Sequence, residues 1–252
     1  MNYRVRYLWR QFLDQTGYFS KHNLTPLLLY VIGLVFLLGA MTFMGPEGSI
    51  RYLYTVVGLM ASVWLFSMVV LNRNATFYKD SVVKVSYVPL YFRMLPTIIF
   101  QTFIFVIFIV LYSAFTALVV DDWLINIFSL LYYTVLGVIL IIPFILLFLT
   151  VETPNLGKVN VAVFIVLVLA VPVLYLPESI PDVLENILSL NPFYYVVYGL
   201  QSNAVQLAWN IDRLPHDILF FSQVAFLYLW MLGFYSKMKF NLYQYSKKRQ
   251  DA

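Results

Sequence analysis

PESIPDVLENILSLNPFYYVVYGLQSNAVQLAW, residues 177–209, admits two readings, and the topology of the chain follows from choosing between them. Its second half, Phe193–Trp209, has the apolar look of one more membrane span. As a span it would export the C-terminal cluster Lys237, Lys239, Lys247, Lys248 and Arg249, against the rule that basic residues stay on the cytoplasmic side. The half is also short and carries Gln201, Ser202, Asn203 and Gln206, which are costly in hydrocarbon unless they line protein or water. The stretch is therefore expected to enter and leave by one face. Ser179 or Asp182 can cap a short helix with Val183, Leu184, Ile187 and Leu188 along one side. Asn191-Pro192 then supplies an N-cap followed by proline at the first helical position, which starts a second helix. Two short helices joined by a tight turn make a re-entrant hairpin.

Composition sets the surroundings of that hairpin. Of 252 residues 62% are hydrophobic and only 11% charged, with a mean hydropathy of +0.82. Soluble domains are about 45–50% apolar and about 25% charged, so this is an integral membrane protein. Long unbroken apolar runs, without alternation at every second residue, make it all-α rather than a barrel. The absence of cysteine excludes disulfides, thiolate metal sites and a cysteine nucleophile. Met1–Asn23 carries Arg4, Arg6, Arg10, Asp14 and Lys21 with no apolar core before Leu24, so a cleavable signal is not expected.

Residues 1–22 place Met1, Val5, Leu8, Trp9, Phe12 and Leu13 on one side at helical spacing and Arg4, Arg10, Gln11 and Asp14 on the other. That pattern suits an amphipathic helix on a membrane surface, with a short solvated helix as the alternative. Six segments have the length of about 20 residues that a bilayer core requires: 24–44, 52–71, 95–119, 124–150, 159–176 and 218–236. Gly45-Pro46-Glu47-Gly48 reads as a tight turn, Asp121-Asp122 separates the third span from the fourth, and Pro143 and Pro172 would kink or end the helices that contain them. With both termini inside, 14 of the 16 Lys and Arg residues are cytoplasmic and only Arg51 and Arg213 external. The expected architecture is a single domain of six transmembrane helices, N-in and C-in. The interface helix precedes span 1, the external re-entrant hairpin at 177–209 lies between spans 5 and 6, and residues 237–252 form a cytoplasmic tail.

The connection from Asn72 to Pro96, with its centre at 72–94, is the longest cytoplasmic one. It mixes Arg73, Phe77, Lys79, Asp80, Lys84, Tyr87 and Arg93, a composition suited to docking a partner through an apolar anchor and charges that set register. Chemistry of other kinds is missing. Gly157-Lys158 lacks the glycine and hydroxyl residue of a phosphate-cradling loop. His22 and His216 are solitary, no Ser-His-Asp set assembles on one face, and no metal site is expected. The spans contain almost no ionisable residue, which argues against an ion-coupled pump, so any transport would draw its energy from a partner.

The chain resembles ABC-2-type transporter permeases, and among them most the membrane subunits of polysaccharide and teichoic acid ABC exporters. The resemblance runs over nearly the whole chain. It rests on the basic N-terminal helix, the loop from Phe77 through Lys84-Val85 to Pro89 and Pro96, the Pro172-Val-Leu-Tyr-Leu-Pro177 approach, and Leu190-Asn191-Pro192-Phe193-Tyr194-Tyr195 followed by Gly199. Drug-type members share the Asn-Pro pair. Where such permeases often carry Arg in the second re-entrant helix, this chain has Gln201.

The resemblance implies a non-catalytic permease subunit of a bacterial cytoplasmic membrane, a homodimer or a pair of similar subunits bound to two copies of a cytosolic ABC ATPase. The permease itself binds no cofactor; ATP and Mg would sit on the ATPase. Arg73, Phe77, Lys79, Asp80, Lys84 and Tyr87 would couple to that ATPase, with Arg4, Trp9 and Arg10 on the interface helix. Asn191, Pro192, Tyr194, Tyr195, Tyr198 and Gln201 would form the re-entrant exit for a lipid-linked polysaccharide or teichoic-acid-like polymer. The aromatic content of 19% suits sugar rings, although interfacial tyrosines are also ordinary anchors. The fifth span has no polar side chain between Val161 and Leu174, which suits hydrophobic peptides, toxins or drugs equally. A membrane anchor or sensor that transports nothing is a third possibility.

Overall fold

The computed structural model describes residues 6, 31–33, 35–36, 46–78, 90–119, 127–151, 171, 181–205 and 214–248. They form six helices: α1 (Pro46–Tyr78), α2 (Leu90–Val119), α3 (Ile127–Val151), α4 (Asp182–Ser189), α5 (Pro192–Val205) and α6 (Leu214–Lys248). The described residues contain no strand. Among the described residues, four helices are long and apolar enough to cross a membrane, over Arg51–Asn72, Met94–Ala114, Ile127–Leu146 and His216–Gly233. The chain is thus a helical, multi-pass membrane protein. Of the expected spans, 24–44 is described only at its helical residues 31–33 and 35–36, and 159–176 only at the buried Val171; both otherwise lie outside the described residues.

Helices run further than hydropathy indicates. Pro46, Glu47 and Gly48 are the first turn of α1 rather than a tight turn, with proline at the position where its missing N–H costs nothing. The charged connection is shortened from both sides: Asn72–Tyr78 completes α1, and Leu90–Pro96 opens α2, which contains Pro96. Pro143 does not end α3, which continues to Val151. Hydropathy reports the part of a helix that lies in hydrocarbon. The backbone keeps its ladder beyond that depth because charged side chains are tolerated in the headgroup layer.

Leu53, Val57, Met60, Ala61, Trp64, Leu65 and Met68 recur every three or four residues on α1 and are all buried. Met94, Ile98, Gln101, Phe105, Phe108 and Tyr112 make the corresponding stripe on α2, while Ile99, Phe103, Ile107 and Leu111 face outward. Apolar residues surround α2 on every side because both its neighbours and the acyl chains are apolar. Trp64 stacks on Phe105 with ring centroids 4.5 Å apart. Helices α1, α2 and α3 pack on one another, α5 lies against both α1 and α3, and α6 packs on α3 and α5.

Within 177–209, the described residues 181–205 form two short helices meeting at Leu190 and Asn191, and 177–180 and 206–209 lie outside the described residues. Pro181, not Ser179 or Asp182, occupies the N-cap of α4, with no side-chain cap bond; its carbonyl accepts from Leu184 N at 2.8 Å. Asp182 is instead the first helical residue. The cap of α5 is as expected: Asn191 Oδ1 accepts from Phe193 N at 3.1 Å, and Tyr194 N donates to Asn191 O at 2.9 Å.

Candidate functional site

Helix α5 is short and yet buried nearly all round. Phe193 to Val197 and Gly199 to Ala204 are buried, and Tyr198 is half-buried. Its neighbours fix its direction. The Phe193 ring meets Phe144 edge-on at 5.0 Å, a Cβ on Gly137 would lie 3.2 Å from Val196 Cγ1, and Tyr195 lies 5.6 Å from the Tyr133 ring. Rising numbers on α5 thus meet falling numbers on α3, so α5 runs antiparallel to it. Trp64 is shared with Gly137 and Val196 at one level, and Gln201 reaches Tyr54 and Gly58 at another, so α5 is antiparallel to α1 as well. The Asn191 end of α5 therefore begins well along α3, and its far end lies near where α1 and α3 start.

Three glycines admit α5 to this groove. A Cβ on Gly199 would fall on the Tyr133 ring, one on Gly58 on the Gln201 amide, and one on Gly137 within 2.6 Å of the Trp64 indole. Each is the only glycine in its stretch, 193–209, 52–71 and 124–150 respectively. The amide that Gly58 accommodates is held in place: Gln201 Nε2 donates to Tyr54 O at 3.1 Å. Asn203 Nδ2 and Ser202 Oγ donate to Gly199 O, at 2.7 and 3.4 Å. These amides are lined by protein, the condition their presence in an apolar segment demanded. A second polar contact crosses from α1 to α2, where Ser67 Oγ lies 3.1 Å from Gln101 Oε1 and 2.8 Å from Trp64 O.

Contacts with α6 are of another kind. Tyr195 O–H donates to Asp217 Oδ1, and its ring stacks on Phe220 at 4.6 Å. Gln223 Nε2 donates to Leu190 O at the α4–α5 joint, 2.9 Å away, and Tyr228 O–H donates to Ile139 O on α3 at 3.0 Å. Tyr194 and Tyr198 stack on each other at 5.7 Å.

Of the residues expected to matter, Asn191, Pro192, Tyr194, Tyr195, Tyr198 and Gln201 come together on this one helix. Arg73 and Phe77 lie in the last turns of α1. Lys79, Asp80, Lys84, Tyr87, Arg4, Trp9 and Arg10 lie outside the described residues. Sequence reasoning missed Gly58, Tyr133, Gly137, Asp217 and Gln223. Three of these had a signal: Gln223 is the only amide side chain in 218–236, and Gly58 and Gly137 are each the only glycine of their span. Among the described residues no group of three or more His, Asp or Glu side chains is placed to hold a metal ion. No protein-family model matches the chain, and no curated protein matches it either.

Proposed function

We propose that the chain is the permease subunit of an ATP-driven exporter of the ABC-2 type, moving a lipid-linked polysaccharide or teichoic-acid-like polymer out across a bacterial cytoplasmic membrane. The observation that carries this reading is α5: a helix opened by Asn191-Pro192 that is enclosed between α1 and α3 while being too short to cross. A chain that returns through the bundle in this way fits six spans, N-in and C-in, with 177–209 as an external re-entrant hairpin. In that topology the end of α1 and the start of α2 face the cytosol, where Arg73, Phe77, Lys79, Asp80, Lys84 and Tyr87 engage two ATPase copies. Two permease copies enclose the path.

Within one copy Tyr195 and Gln201 are occupied by Asp217 and Tyr54, so their part in this scheme is to hold the exit helix rather than to grip cargo. Hydrophobic peptides, toxins or drugs are the second reading, favoured by the exposed Val183, Leu184, Ile187 and Leu190 on and beside α4. Reconstitution with the cognate ATPase tests both. Lipid-linked polymer should stimulate ATP hydrolysis and hydrophobic peptides should not; the reverse selects the second reading, and no stimulation by either overturns export. Cysteines at Asn210 and Ser246 should react with an impermeant maleimide from outside and inside respectively, and labelling from one side alone would overturn the topology.

A further inference from the structure

Pro143 lies inside α3 and has no N–H, so the carbonyl four residues earlier, that of Ile139, loses its donor within the helix. In a bilayer such a carbonyl must be satisfied by a neighbouring group. Tyr228 of α6 does this, its O–H donating to Ile139 O at 3.0 Å. A second carbonyl outside any helix, that of Leu190 at the joint between α4 and α5, is satisfied from the same helix by Gln223. A third bond, Tyr195 to Asp217, lies further toward the start of α6.

Of the four apolar helices α6 is the least buried. Only 11% of His216–Gly233 is buried, against 67% of Arg51–Asn72, and a Cβ on Gly233 would meet nothing. Apolar helix faces gain little from each other over lipid tails, so direction and register must come from close packing of small residues or from polar bonds. Among the described side chains of α6, the buried or half-buried ones, Asp217, Leu219, Phe220, Gln223, Val224, Leu227, Tyr228 and Met231, include no small residue.

We propose that Pro143 is the docking point of α6: the proline frees the Ile139 carbonyl as an acceptor, Tyr228 takes it, and α6 becomes a tie between the middle of α3 and the α4–α5 joint. The α4–α5 joint and the middle of α3 are then held to the same helix, in addition to the direct packing of α5 on α3. The tie does not depend on what, if anything, the chain carries.

The lack of cysteine allows a direct test on the full chain in lipid nanodiscs. Spin labels at Ile218 on α6 and Val135 on α3, both outward-facing, report the docking, and labels at Leu59 on α1 and Val135 report the core. The unsubstituted chain should give one narrow distance for each pair. Tyr228→Phe should add a second, longer distance to the α6–α3 pair and leave the core pair unchanged. Pro143→Ala, which returns an in-helix donor to Ile139, should do the same. Because both delete one bond, the double variant should show no larger second population than either alone. Additive effects, an unchanged α6–α3 distance in Tyr228→Phe, or equal broadening of both pairs would each overturn the proposal.

Discussion

Helices α5 and α6 solve the problem of holding a helix inside a membrane in opposite ways. Helix α5 is short, fits a groove cut by glycines, and is buried nearly all round. Helix α6 is long, turns most of His216–Gly233 outward, and adds a few directional bonds to its packing on α3 and α5. Steric fit tolerates almost no added volume, whereas a row of hydrogen bonds tolerates change everywhere except at its donors and acceptors. The difference predicts where substitutions will be felt.

The largest effect is expected at Gly199. Gly199→Val forces the Tyr133 ring out of its place and should cost about 3 kcal/mol, read as a lower midpoint of thermal unfolding in detergent. A midpoint unchanged by this variant would show that α5 is not fitted as described. Gly58→Ala should come next, at roughly 1–3 kcal/mol, because its methyl group meets the Gln201 amide. The obstacle is a side-chain end, so Gln201→Ala should relieve much of the loss, and the double variant should be more stable than the sum of the two changes predicts. Strict additivity would break the pairing of Gly58 with Gln201.

Asn191→Ala removes the cap of α5 and should cost about 1 kcal/mol, with Asn191→Asp retaining most of it. The smallest effect belongs to the outer face of α6. Leu229→Ala, at a position 69% exposed, should stay within about 0.5 kcal/mol. A large loss there would mean that α6 is packed rather than tied.

Asn191-Pro192 was readable because capping is a local chemistry, written in adjacent residues. The fate of Gln201, Ser202 and Asn203 was readable because hydrocarbon leaves such groups few options. The ends of α1 and α2 were not, since apolarity stops at the edge of the hydrocarbon while the backbone ladder continues. Nor could Gly58 be paired with Gln201 or Gly199 with Tyr133, because such pairs exist only once distant segments meet, and one sequence does not encode which segments will. The expected cap at Asp182 failed for a smaller reason: Pro181 already supplies an extended residue before the helix and fills the cap position.

The bond from Gln201 to Tyr54 joins positions 147 residues apart, and that distance has a consequence for how the protein is made. Chains emerge N-terminus first, so α1, α2 and α3 enter the membrane while α5 is still unsynthesised. Until residues 192–205 arrive, the groove between α1 and α3 has to be filled by lipid or water. The polar side chains of Gln201, Ser202 and Asn203 make that late segment costly to expose to lipid before its partners are in place. The side chains that would be a liability in lipid thus find their partners only once the rest of the protein is there to receive them.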